Sequence, residues 1–470
     1  MPPSSEETRL LDSSTRPLDP ICGFETEYAL NCEIDGASAN DKLEQAVAIT
    51  AMRLTACQFQ ENSSRIYLDI GNHPEFSTGE GKSFLGESHS MLAGHVTMAR
   101  RHKQAEEKLN NKLKGKLSVK LTANTSDPLG NSWSSHGNVL APRHLDPFDY
   151  IGALAAHNLS RIVWSGAGLV VKDRDSSGFR YYLSEKAEHI WELASSSTTI
   201  SRPLVNLRDE PLADVGRFRR VHDTAGETIF SPHANALRLA TTSIILKACT
   251  LGVSFDSLAL ENPISAIRQI SHDPSLKRTV ALANGRQYSA ISLQRALHEK
   301  SLNAGLAADY LTDQEKYWAE KWVTILDDLE TDPLSCIKRV DWVLKQRLIE
   351  RELDAKHKSG TKLTDFEIAW SKSIEYHRLL PNEGAGMRML RAGFYEDSPS
   401  TEELDYGLSL PPTRAALRGD ALRRLRIAGV DYKADWQNIV CDGRSGRVLL
   451  KDPYCTTDER LEKLLGKVAA

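Results

Sequence analysis

Residues 65–70, RIYLDI, alternate so regularly that a β-strand would put Arg65, Tyr67 and Asp69 on one face and Ile66, Leu68 and Ile70 on the other. A chain with such a strand must bury the apolar face and give the polar one either water or chemistry. The segment CGFETEYAL at 22–30 has the same design, since Glu25 and Glu27 stand two residues apart and so side by side. Two adjacent carboxylates repel each other unless a cation lies between them. On neighbouring strands the segments would gather at least three carboxylates, a phenol and a guanidinium, the groups a metal–nucleotide site on a sheet floor requires. Each segment alone has a plainer reading. Glu-x-Glu is commonly the solvated face of an antiparallel sheet, and Asp-x-Gly-Asn-His-Pro is commonly a turn leaving a strand. Their conjunction points to a site.

At 470 residues the chain exceeds one compact core and is expected to form a large and a small domain. A formal net charge of −4, with 40% apolar and 26% charged residues, gives it no overall nucleic-acid footprint, and no nucleic-acid partner is expected. The seven cysteines (Cys22, Cys32, Cys57, Cys249, Cys336, Cys441, Cys455) are scattered and never spaced C-x-x-C. That argues against a disulfide framework and structural zinc, and for a reducing cytoplasm. No apolar run nears the ~18 residues that cross a bilayer, so no membrane partner is expected. The opening MPPSSEETRLLDSSTRPLDP lacks the order of a signal peptide, and residues 1–19 are expected to be a flexible tail.

Residues 40–60 and 83–114 carry helical patterns; His89, His95 and His102 are not at metal-ligand spacing and are expected to pack or face solvent. LSVKLTANTS (117–126) alternates as a strand, and DPLGNSWSSHGN (127–138) is a long polar loop of a kind that is often functional. FDYIGALAAHNLSRIVWSGAG (148–168) reads as a buried helix, and LVVKD with FRYYLS as a hairpin turning at 175–178. RPLVNLRDEPLADVGRFRRVH (202–222) should be strand then loop, and residues 235–395 mostly helical. EDSPSTEELDYGLSLPPT (396–413) marks a linker or long loop. A basic helix, two strands about a turn at 443–446 and a terminal helix follow.

GFETEYAL, RIYLDIGNHPEFST, the GNSWSSH loop, AEHIWE (187–192), SRPLVNLRDEPLAD (201–214), ENPISAIRQISHD (261–273), ADWQNIV (434–440) and LLKDPY (449–454) stand in a telling order. It is the order of the Pup ligase and depupylase family, which the chain resembles over about residues 20–465. Within that family it is similar to the ligase branch. LDIGNHPE at 68–75 is not the histidine-rich variant of the depupylases, and the gap from Glu27 to Arg65 has no room for their long insertion.

The resemblance implies an α+β fold with a glutamine-synthetase-like large domain (20–400) and a small C-terminal α/β domain (401–470). The large domain would hold ATP and magnesium on the concave face of a curved antiparallel sheet packed by helices. It implies Glu25, Tyr67 and Glu75 as magnesium ligands, Arg65, Thr78 and Trp436 as nucleotide contacts, and Asp69 as the catalytic acid/base. Glu27, His136, His222 and Arg208 are further candidates for metal or phosphate contacts. The implied activity is an ATP-dependent ligase that joins the C-terminal glutamate side chain of Pup, or a Pup-like modifier, to substrate lysines through an isopeptide bond. The alternatives are a hydrolase of that bond or of a C-terminal glutamine, an inactive paralogue that binds modifier or nucleotide, and a small-molecule carboxylate–amine ligase. Three segments depart from the family: Gly137 replaces a glutamate, Thr122-Ala123-Asn124 replaces Lys-Asn-Asn, and Pro232-His233-Ala234 replaces Glu-Thr-Thr. These changes are expected to remove a carboxylate from the site and to alter loops beside the nucleotide or modifier.

The chemistry suits these residues. A carboxylate resists attack by an amine because oxide is a poor leaving group. Phosphorylation removes that obstacle, and it needs positive charge over the phosphates, which magnesium and Arg65 can give. A lysine amine with a reference pKa near 10.4 is rarely neutral at pH 7, a penalty of about 4.6 kcal/mol. A carboxylate such as Asp69 beside the incoming amine can orient it and take its proton. An aromatic such as Trp436, reaching across from the small domain, can stack on adenine.

Overall fold

The structure is a computed structural model that describes residues 18–54, 58–69, 73–127, 130–197, 202–302, 310–407, 410–441 and 446–469. Most of the expected tail, residues 70–72, and residues 443–445 of the turn expected at 443–446 lie outside the described residues. A seven-stranded sheet runs in the order Glu192–Ser195, Pro203–Asn206, Phe218–Asp223, Ser135–Pro142, Cys22–Glu27, Pro74–Ser77, Arg65–Leu68. Its pairs are antiparallel except the first. Alternation decides which way it faces. In the central strand Cys22, Phe24 and Thr26 are buried, while Gly23, Glu25 and Glu27 are half-buried and look into a cleft.

Two helices pack beneath the apolar face. Phe84–Asn110 starts at Ser83, whose hydroxyl accepts from Gly86 N–H, and it lies against the central strand. Pro232–Thr250 begins with the proline that suits a first helical turn, is capped by Ser231, and is buried along almost its whole length. A helix buried on all sides is a core element, and this one packs on the Ser135–Pro142 strand. A second sheet, in the order Arg378–Leu380, Leu117–Thr122, Ala29–Ile34, Ala37–Ser38, is reached from the central strand through Tyr28 alone. Both sheets share one hydrophobic core, which runs from Cys22 to Leu404.

The C-terminal segment builds a separate core from Ala421, Leu425, Ile439, Val448, Leu461 and Leu465. Each buried Leu, Ile or Val among them contributes about 1.5–3 kcal/mol. It holds the Arg414–Ile427 and Glu459–Ala469 helices against three strands, Tyr432–Ala434, Asn438–Cys441 and Gly446–Leu449. Two strands were expected there; the third is only three residues long and too short to show a period. The segment 396–413 is more than a linker. Ser400 and Glu403 form a reciprocal capping box that starts the Thr401–Tyr406 helix. Residues 202–222 likewise return as a second strand, Phe218–Asp223. The mostly helical region after 235 is interrupted by a hairpin of Thr279–Ala281 and Gln287–Ser289. His95 and His102 are packing residues, fully buried. Among the described residues no helix is long and apolar enough to cross a membrane.

Glu80 fastens the C-terminal segment to the sheet. Its carboxylate accepts from Arg414 Nε and from Arg418 Nη2 at 2.7 Å, and the Thr413 hydroxyl donates to its carbonyl at 2.7 Å. Burial alone would raise this carboxyl, but the charges of Arg418 and Arg414 and their hydrogen bonds outweigh it and bring its pKa down to about 2. A folded-state pKa below the unfolded value adds stability that is complete above the unfolded pKa and is lost as pH falls through the folded one. Glu80→Gln is therefore expected to cost about 3 kcal/mol at pH 7, with a deficit that narrows as pH falls from 4.5 toward 2. Denaturant unfolding of both proteins at several pH values measures this; a deficit independent of pH would contradict it.

Candidate active site

Residues directly opposed in an antiparallel sheet share a face. The register pairs Tyr67 with Glu75 and Glu75 with Glu27 in one rung, and Arg65 with Ser77 and Ser77 with Glu25 in the next. His136 opposes Glu25 from the other side. Asp69 continues the row, its N–H donating to His73 O at 3.1 Å. All of these side chains but Ser77, with Trp133, Lys186, Arg202, Arg208, Glu210, Arg220, His222 and Trp436, line a cavity of about 460 Å³.

Two groups of possible metal-ligand atoms lie within it, each set within 4.8 Å: Glu25 with His136 and His222, and Glu27 with Asp69 and Glu75. In the first, Glu25 Oε1 meets His222 Nε2 at 2.6 Å and His136 Nδ1 at 3.0 Å. The Asn206 amide donates to His222 Nδ1 at 2.9 Å, which turns the Nε2 side toward Glu25. Burial would raise the Glu25 carboxyl, but His222, His136 and Arg220 together hold it well below the usual range. Glu75 goes the other way. Burial first, then the charges of Glu25 and Glu27, push it well above the usual range, and burial raises Glu27 as well. A partly buried all-oxygen set whose carboxylates crowd one another in this way is a donor set suited to a hard divalent ion such as magnesium.

The Tyr67 hydroxyl donates to Glu75 Oε1 and lies 3.2 Å from Ser77 Oγ, and burial followed by the Glu75 charge keeps the phenol neutral. Arg65 lies flat over the Tyr67 ring, 4.1 Å from its centroid, and donates to Gln58 Oε1. Trp436 packs edge-on against Phe59 with centroids 4.9 Å apart. It also lines a neighbouring slot of about 90 Å³ walled by Ile21, Val139, Leu140, Leu212, Ala213 and Pro453. Leu212 sits between slot and cavity at φ 52, strained for an L-residue, with its carbonyl held by Arg414 at 2.7 Å.

Two other candidate contacts have partners within the protein. The Thr78 hydroxyl accepts from Phe24 N–H and donates to Gly79 O, and it lines the slot. Arg208 is half exposed and pairs with Glu210 at 2.7 Å. The guanidinium above the junction of slot and cavity is Arg220, which lies 3.7 Å from Glu25, 3.9 Å from Glu210 and 3.1 Å from Asn138 Oδ1. Its signal in the sequence is the i, i+2 relation to His222. Lys186 has no such signal. It is buried, donates to the Ser134 hydroxyl, and lies 3.3 Å from Ser132 Oγ and 3.4 Å from Trp133 O. Burial brings its pKa down to about 8. The Ser134 N–H in turn donates to Glu27 Oε2 at 2.8 Å, and His73 stacks on Trp133.

The departures from the family fall elsewhere than expected. Of the 122–138 segment, Asn131 to Ser134 and His136 reach the cavity, but Gly137 faces the core. A Cβ there would meet Leu239 at 3.4 Å and Asp223 Oδ2 at 3.6 Å. No carboxylate has been lost from the cavity, and Asp223, opposite Gly137, carries one on the core side, paired with Arg161 at 2.7 Å. Residues 226–242 are buried throughout, and His233 bonds Asp397 far from the cavity lining. Gly137→Glu should therefore destabilise the fold by about 3 kcal/mol, because it buries a second carboxylate beside Asp223. Adding Asp223→Val should recover most of that loss by leaving Arg161 a single partner. Thermal unfolding of the single and double variants tests this, and an undisturbed single variant would refute it.

The family model described as Pup-ligase protein matches residues 40–440. The chain is 33% identical over 461 residues to the Pup–protein ligase 1 of Rhodococcus erythropolis, covering 95% of this chain and 99% of the relative. It is 35% identical over 454 residues to the Pup–protein ligase of Kineococcus radiotolerans, covering 95% and 98%. Among solved structures it is similar to the ligase PafA in complex with the prokaryotic ubiquitin-like protein Pup, with TM-score 0.81 and 26% identity over 97% of this chain and 93% of that one. It is also similar to PafA bound to ADP, with TM-score 0.76 and 26% identity over 90% and 92%.

Proposed function

The chain belongs to the Pup-ligase protein family, and on that premise we propose how its cavity joins Pup, or a Pup-like modifier, to lysine side chains. It is an ATP-dependent carboxylate–amine ligase with the α+β fold of PafA. One observation carries the residue assignments. Read along the strands, the apolar slot is followed by Arg220, then His222, then Glu25 with His136, then Glu27 with Ser134, and last Asp69. A nucleotide laid along this line would have its base in the slot near Trp436 and its phosphates under Arg220 and Arg65.

The phosphate being transferred then reaches the carboxylates. Glu25, Glu27 and Glu75 would hold magnesium, with His136 and His222 fixing Glu25 and Tyr67 fixing Glu75. When bound, the metal neutralises charge on the phosphates as the γ-phosphoryl group moves to the glutamate side chain of the modifier. The slot and the guanidinium groups position the donor and the acceptor in line, and this geometry is where most of the protein's contribution to phosphoryl transfer arises. In the second step a substrate lysine enters at the open end, where half-buried Asp69 faces it. Asp69 accepts the amine proton as nitrogen attacks the acyl phosphate, an amide bond forms, and phosphate departs with the oxygen. A cytoplasmic setting agrees with the free cysteines among the described residues.

The test is incubation with ATP, magnesium and a Pup-like protein ending in glutamate, with mass spectrometry of protein lysines. ATP-dependent conjugates are expected. Asp69→Asn should lower conjugation about 10²–10⁴-fold while ADP affinity, measured by calorimetry, stays at the wild-type value. Cleavage of preformed conjugates with no synthesis would replace the ligase reading by the hydrolase one, and normal conjugation by Asp69→Asn would remove Asp69 from the mechanism.

A further inference from the structure

Three cations line the cavity without a carboxylate in ion-pair contact among the described residues: Arg65, Lys186 and Arg202. Arg65 belongs to the nucleotide end, since it and Trp436 both lie against Phe59. Lys186 and Arg202 belong to the other end. Lys186 holds the Ser132–Ser134 segment, whose last amide bonds Glu27, so its ammonium lies beyond the carboxylate row as seen from the slot. Arg202 Nη1 meets His189 Nδ1 at 3.4 Å, three residues after Lys186. Burial, with Lys186 and Arg202 nearby, holds His189 down to about 4 and therefore neutral.

Neither cation has a carboxylate within ion-pair distance among the described residues, and the charge of Glu27 acts on Lys186 from farther off. Lys186 is 5% exposed and its oxygen partners are two hydroxyls and a carbonyl, two of them at 3.3 and 3.4 Å. The hydrogen-bond partner of Arg202 among the described residues is a neutral imidazole, and its backbone is held at φ 38, a strained conformation for an L-residue. Buried or half-buried cations that face a cavity with only neutral hydrogen-bond partners favour an anion there. Strain at a residue facing a cavity is the kind retained for a ligand.

The acceptor of the phosphoryl group brings such an anion. Glutamate at a chain terminus has a second carboxylate, three carbon atoms from the first. With the side-chain carboxylate at the metal row, the main-chain carboxylate must lie on the side away from the nucleotide. We propose that Lys186 and Arg202 form the subsite for that main-chain carboxylate, so that the enzyme accepts glutamate only at a chain terminus. This rests on the ligase reading above. An internal glutamate, or a terminal carboxamide, leaves both cations unpaired and is rejected for that reason.

Two versions of the Glu-terminated modifier test it, one with a free terminal carboxylate and one with a terminal carboxamide at the same glutamate. Values of kcat and KM for conjugation are measured with wild type, Lys186→Met, Arg202→Met and Arg202→Lys, and ADP affinity of each reports on the nucleotide end. Wild type is expected to favour the free carboxylate on the order of 10- to 100-fold, mostly through KM. Arg202→Met and Lys186→Met should lose most of that preference by losing affinity for the carboxylate form alone, and Arg202→Lys should keep part of it. ADP affinity should not change. If Lys186→Met does not fold, Arg202→Met decides. Equal use of both modifiers by wild type, or an unchanged preference in Arg202→Met, overturns the subsite while leaving the ligase reading intact. Failure of wild type to conjugate either modifier overturns the ligase reading and the subsite with it.

Discussion

The pairing of the Cys22–Glu27 strand with both its neighbours is the constraint on which the cavity depends. Side chains in a strand alternate strictly, so a slip of one residue would send Glu25 and Glu27 into the core and bring Phe24 and Thr26 to the cleft. The register is pinned from below. Phe24 lies in the shared core under the Arg238 guanidinium, and Thr26 bonds the Ser135 hydroxyl at 3.0 Å, so the apolar face cannot shift without losing both. With that face fixed, Glu25, Glu27, Glu75 and Tyr67 have no freedom to be elsewhere. The sheet thus holds like charges together at a cost borne by packing, and the opposite shifts of Glu25 and Glu75 record that tension.

Two polar systems carry this order outward. Glu80, at the end of the Pro74–Ser77 strand's extension, is gripped by two arginines from the Arg414–Ile427 helix. On the other side, Glu185 accepts from Thr125 N–H at 2.6 Å and Lys186 holds Ser134, so adjacent residues anchor both ends of the segment that completes the cavity wall. Behind them Lys345 donates to Glu185 at 3.1 Å and to Gly168 O at 2.6 Å, entirely out of water. A buried network of this sort is worth keeping only when every member is satisfied, and here it fixes a wall rather than adding net stability.

The sequence was most informative where a period carries the meaning. Arg65, Tyr67, Asp69, Glu25 and Glu27 could be placed on one floor because i, i+2 spacing is a property of the strand itself. Lys186 and Arg202 could not be placed, because their meeting with residues 131–134 and 189 is set by packing between distant segments. Arg220 lay between: its phase with His222 was visible, but nothing local said that it would stand over the joint of slot and cavity. Gly137 was misjudged because a motif position says nothing about the face it occupies. Trp436 was legible only through resemblance to a family, as its value comes from a docked segment far along the chain. The helix within 396–413 was there to be read in Ser400 and Glu403, but the prolines and glycine around it gave the stronger signal.

Leu212 has one further implication. It is the wall shared by the apolar slot and the charged cavity, and its carbonyl is held by an arginine that also grips Glu80 and Leu450. The slot is therefore partly built from the attachment of the C-terminal segment, with Trp436 on its rim. Thermodynamic reciprocity follows: a ligand that favours the formed slot tightens that attachment by the same free energy with which the attachment favours the ligand. Occupancy of the slot and the docking of the last sixty residues or so are two readings of one equilibrium, and a change far out on the Arg414–Ile427 helix can alter affinity there without touching the ligand at all.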